Sequence, residues 1–74
     1  MTITSGMLWQ FDSGKRTLAE EIKRAVDYFS QKYGEIPNTV LVHPDMLDGT
    51  QADLEINVEI WRGIVRQHLL VGVE

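Results

Sequence analysis

The sequence predicts a small α+β domain in which one amphipathic helix packs on a mixed sheet of three or four strands, ordered β-α-β-β-β. Three observations carry this reading. Residues 17–33 repeat apolar side chains at helical spacing between a capping box and a glycine stop. Residues 39–42 are apolar or β-branched on both faces. Residues 53–60 alternate polar and apolar without a fault. At 74 residues, with 43% hydrophobic and 24% charged side chains, the chain has the size and balance of one globular domain.

The first element is a strand at Met7-Leu8-Trp9-Gln10-Phe11, with Trp9 and Phe11 on the buried side, ended by the turn signal Asp12-Ser13-Gly14. The helix opens with Thr17-Leu18-Ala19-Glu20. There the threonine hydroxyl accepts from the Glu20 amide while the glutamate reaches back to the Thr17 amide. Leu18, Ile22, Ala25, Val26, Phe29 and Tyr33 form its apolar stripe, and Gly34 and Pro37 stop it. Asn38 to His43 is the second strand, ended by Pro44, and its two apolar faces suit a βαβ crossover from the first. Asp45 to Gly49 is a tight turn or one helical turn. Asp53 to Ile60 is the third strand, and the tail from Ile64 to Val73 holds the fourth, with Leu69, Val71 and Val73 in register. Strands three and four are expected to form an antiparallel hairpin through Trp61-Arg62-Gly63.

Composition bounds the function. There are no cysteines, which excludes disulfides, thiolate chemistry and cysteine metal sites. A formal charge of -4 disfavours nucleic acid as a partner, since phosphate attraction wants a basic face. A core this small is marginal, and without disulfides the usual aid is self-association, with homodimers the commonest form. No apolar run is long enough to span a bilayer and Met1 to Gly6 shows no leader pattern, so the expected setting is the cytoplasm, away from membranes.

Four constellations invite chemistry. Phe11 to Thr17 joins a strand to a helix start with Lys15 and Arg16 in between, as a phosphate-binding turn would. However, Trp9 stands where a P-loop needs its first glycine, and Arg16 separates the lysine from Thr17, so a capped turn is the plainer reading. His43, Asp45 and His68 are the candidate metal ligands: two imidazoles and a carboxylate would leave a position open for water. They meet only if strands two and four are neighbours. Otherwise His43 bonds the backbone, Asp45 caps a turn and His68 is an exposed strand residue.

Asp53, Glu55 and Glu59 share one side of the third strand, at the roughly 6.5–7 Å steps a pair of acid–base carboxylates would need. A solvated face needs no catalysis, and Arg62, Arg66 and His68 would balance it across the hairpin. Finally, Trp61 with Tyr28 and Tyr33 offers a stacking platform or an interface anchor, although a core place for Trp61 is favoured over either. Trp61 and Trp9 are the candidate interface residues.

The run from Tyr33-Gly34 through Ile36-Pro37-Asn38-Thr39-Val40-Leu41-Val42-His43-Pro44-Asp45-Met46-Leu47 resembles small bacterial domains without an assigned activity. It is also similar to a helix-then-strand segment of tailed-phage major capsid proteins. Neither resemblance implies a site residue. The expected function is therefore a non-catalytic interaction or self-associating module with no cofactor, its partner a second copy or another protein. The competing reading is a metal-binding protein or small metal-dependent hydrolase using His43, Asp45 and His68.

Overall fold

The computed structural model describes residues 5–12 and 14–74. Residues 1–4, part of the segment without a leader pattern, and Ser13 of the turn expected at 12–14 lie outside them. The helix α1 (Leu18–Tyr33) lies on a four-stranded mixed sheet built from β1 (Ser5–Gln10), β2 (Thr39–Val42), β3 (Asn57–Ile60) and β4 (His68–Val73). Its order is β1-β4-β2-β3. Strand β4 runs antiparallel to both neighbours, while β2 and β3 are parallel.

This order corrects the expected hairpin. Strand β4 does not pair with β3; it enters between β1 and β2 and completes both. The physical reason lies in the side chains. Val71 and Leu69 are fully buried under the helix, while on the opposite face Gly72 is buried and Leu70 half-buried, which is a central strand's environment. The loop 61–67 is long enough to carry the chain past the end of β2. At its close Gln67 takes a left-handed conformation (φ 65°) that aims β4, and its carbonyl accepts the Phe11 amide at 2.9 Å. The β1–α1–β2 unit is a crossover, as expected, but it spans β4.

The alternation at 53–60 also yields only half a strand. Residues Thr50–Asp53 form a 3₁₀ turn, a second one occupies Pro44–Met46, and the ladder begins at Asn57. Leu54 and Ile56 still pack against the core, so inside–outside order survives without strand pairing. Helix α1 follows its stripe: Leu18, Ile22, Ala25 and Phe29 are buried against Val40, Val42, Leu69 and Val71, with Phe11 and Met46 closing one end. Tyr33, the last stripe residue, is 48% exposed. Gly34 ends the helix at φ 71°, a conformation costly for any side chain, and its amide donates to the Ser30 carbonyl.

Phe29 is the largest of the fully buried side chains. Its replacement in Phe29→Ala is expected to remove about 3–5 kcal/mol, most of the stability of a domain this small. Urea denaturation followed by circular dichroism checks this, and a loss below about 1 kcal/mol would contradict the core assignment.

Candidate functional site

The helix N-terminus at the end of the sheet is where an anion would bind, because its first amides have no partner within the helix. Here the chain fills that place itself. The Thr17 amide donates to Glu20 Oε1 at 2.9 Å and the Glu20 amide to Thr17 Oγ1 at 3.2 Å, the capping box expected from the sequence. The two amides between them are taken by side chains from thirty residues away. Leu18 N–H donates to Asp48 Oδ2 at 2.9 Å, and Ala19 N–H donates to Thr50 Oγ1 at 3.0 Å. Asp48 is itself held, because its Oδ1 accepts from both the amide and the hydroxyl of Thr50. The site of a bound phosphate is thus occupied by an internal carboxylate, and Lys15 and Arg16 flank a capped turn in which Asp12 Oδ1 accepts the Gly14 amide.

These contacts act on the Asp48 carboxyl in opposite directions. Burial raises its pKa, but the bonds from the Thr50 hydroxyl and from the Leu18 and Thr50 amides outweigh it, and the net direction is down. Glu20 is lowered too, by the Thr17 amide and then by the Thr17 hydroxyl.

Beside the clamp lies a cleft of about 420 Å³ reached by Arg16, Asp45, Asp48 and Arg66. Of the candidate metal ligands, Asp45 lines it. Strands β2 and β4 are neighbours, and one step past their last pair, Val42↔Leu69, the register sets His43 opposite His68. The Nδ1 atoms of both rings are already engaged. His43 Nδ1 accepts the Asp45 amide at 3.1 Å, which leaves the proton on Nε2, while His68 Nδ1 lies 3.0 Å from the Arg66 carbonyl and must donate to it. Asp45 Oδ2 accepts from Arg66 Nε and Nη2 at 2.9 and 2.8 Å and stands 3.8 Å from His43 Nδ1. Among the described residues no group of three or more His, Cys, Asp or Glu is placed to hold a metal ion.

The three carboxylates do not share a strand face. Glu59 is half-buried in β3, Glu55 is exposed in the bend before it, and Asp53 belongs to the 3₁₀ turn. Nor do Arg62, Arg66 and His68 face them across a hairpin, since Arg66 pairs with Asp45 instead.

The aromatic residues separate as well. Trp9 packs on the core with its ring 5.6 Å from that of Tyr28, and Tyr33 stands 4.7 Å from Phe29, with Lys32 near both tyrosines. Trp61, favoured for the core, is instead 47% exposed. Its indole lies over Gly63, where a Cβ would come within 2.9 Å of Nε1.

Two buried features escape a reading by residue type. Glu21 is only 4% exposed, with Arg24 Nε 3.4 Å away, because position 21 falls on the buried side of the stripe beside Leu18 and Ala25. Asp48 and Thr50 look like turn residues, and no local spacing connects them to Leu18. The Asp-Gly-Thr pattern signals the turn alone.

No family model matches the chain, no curated protein sequence matches it, and no solved structure matches its fold. No helix among the described residues is long and apolar enough to cross a membrane.

The clamp generates two expectations. Asp48→Ala is expected to cost about 1–2 kcal/mol by leaving the Leu18 amide without an acceptor, read from denaturant midpoints. The folded state holds Asp48 ionised more strongly than the unfolded chain does. Its contribution is therefore complete above the ordinary carboxylate value of about 3.9 and is lost as pH falls below it, whereas Asp48→Asn removes that part of the pH dependence.

Proposed function

We propose that this chain is a non-catalytic module that acts by association, with a second copy of itself as the leading partner and the cytoplasm as its setting. The observation that carries the reading is the one-sided covering of the sheet. One helix buries one face, and the other presents Leu8 (57% exposed) at the β1 edge, while Trp61 (47% exposed) follows β3 at the opposite edge. Large apolar and aromatic side chains at a strand edge suit a protein interface.

The groups that catalysis would use support this indirectly, because His43 and Asp48 accept backbone amides, Asp45 is paired with Arg66, and His68 Nδ1 donates to the Arg66 carbonyl. A second reading, metal binding by His43, Asp45 and His68, draws on the cross-strand placement of the two imidazoles. It requires His43 to give up the Asp45 amide and Asp45 to give up Arg66.

Sedimentation velocity over a hundredfold concentration range, joined to native mass spectrometry, separates the two. The association reading expects an integer oligomer that dissociates on dilution and carries no added mass. A stoichiometric metal adduct lost in His43→Ala and His68→Ala would replace it with the second reading.

A further inference from the structure

We propose that the free edge of β1 is completed by β1 of a second copy, antiparallel and centred on Leu8, so that two four-stranded sheets join into one. This rests on the association reading and names its surface. The backbone decides which groups are available. Phe11 N–H donates inward to Gln67, one step beyond the Gln10↔His68 pair, so alternate residues Trp9 and Met7 also direct their N–H and C=O to β4. Gly6, Leu8 and Gln10 therefore turn theirs outward, and among the described residues nothing pairs with them.

A free edge of this kind is normally blunted by charge, proline or shortness. The other edge, β3, is blunted: it has four residues and carries Glu59. Strand β1 has six residues, Ser-Gly-Met-Leu-Trp-Gln, with no charge and no proline.

Three features select a second copy as the occupant. The first is charge. Two chains of -4 repel, so a shared surface must be neutral, and residues 5–11 are. With Leu8 at the two-fold axis, the two Asp12 carboxylates fall at opposite ends of the ladder. The second is size. The same register sets the flexible Met7 of one copy across from Trp9 of the other, and Gly6 across from Gln10, so an adaptable or small residue meets each large one.

The third is continuity of the apolar surface. Leu41, Leu70 and Leu8 are direct cross-strand neighbours on the face away from the helix, and the row ends at the exposed Leu8. Pairing brings the two Leu8 residues side by side and runs the row across both sheets. On the helix side the partner strand borders a groove of about 420 Å³ between β1 and α1, lined by Met7, Trp9, Tyr28 and Lys32.

Leu8→Cys tests the geometry directly, because the chain has no other cysteine. Paired Cα atoms about 5.5 Å apart lie within disulfide reach, so mild oxidation is expected to trap a covalent dimer. Ala52→Cys, exposed on the far 3₁₀ turn, is expected to form no covalent dimer under the same conditions. Leu8→Lys, at a position already open to solvent, is expected to fold as the parent does and to weaken dimerisation at least about tenfold through two facing ammonium groups.

A parent dimer whose Leu8→Lys variant associates unchanged, or whose Leu8→Cys variant crosslinks no better than Ala52→Cys, overturns the β1 pairing and leaves association standing. A parent chain that sediments as a monomer at every concentration overturns both. Should Leu8→Lys fail to fold by circular dichroism, the cysteine comparison decides.

Discussion

The carboxylate of Asp48 on the first amide of α1 is the contact on which the arrangement turns. It joins residues thirty positions apart, and with the Thr50 hydroxyl on the next amide it fixes the whole connection between β2 and β3 against the helix. That connection must cross from the end of β2 to a parallel neighbour, which no tight turn can do. Docking its middle on the helix N-terminus gives it a support, places Met46, Leu54 and Ile56 against the core, and delivers β3 to the far side of β2. The helix gains acceptors for orphan amides and a negative charge at the positive end of its dipole. The same contact fills the helix N-terminus, where a phosphate would otherwise be attracted.

Economy of cover sets the second constraint. One sixteen-residue helix can cover one face of a four-stranded sheet. On that face Ala25, Val40, Val42, Leu69 and Val71 are fully buried. On the other, Leu41 is buried in the centre, while Leu8 lies open at the edge. A sheet must bury its apolar face against another layer, so a fold with cover for a single face gains from a neighbour.

How much of this the sequence discloses depends on range. The helix was legible to its caps, because Thr17, Glu20 and Gly34 act within one turn of the residues they satisfy. Strand β2 was legible because a short β-branched run, apolar on both faces, suits a strand covered on both sides. Strand order was not. Whether β4 pairs with β3 or inserts beside β2 depends on contacts between segments about thirty residues apart, and alternation in 53–60 is the same for either partner. Within that segment, local chemistry overrode the period of two: Gly49 at φ 87° and the Asp48–Thr50 bonds wind Thr50–Asp53 into a 3₁₀ turn. The candidate site divides in the same way. That His43 bonds the backbone was the plainer reading of the sequence, and it does so. That it also lies across from His68 needed the sheet order.

A polar group without a partner marks where a structure is incomplete, and that accounting separates chemistry from association here. His43 Nδ1, Asp45 and Asp48 accept bonds within the chain, so ligation or proton transfer through them would first have to break a bond already made. The outward amides and carbonyls of Gly6, Leu8 and Gln10 have none among the described residues, and the indole N–H of Trp9, one residue from Leu8, is buried without an acceptor. Apart from Oε1 of Gln51 in the 3₁₀ turn, the buried unsatisfied side-chain polar atoms among the described residues reduce to that indole. Water can satisfy an edge strand, but it cannot cover Leu8 as well. A second strand does both, since its backbone meets the open amides while its side chains extend the leucine row, and it introduces no charge along a ladder that has none.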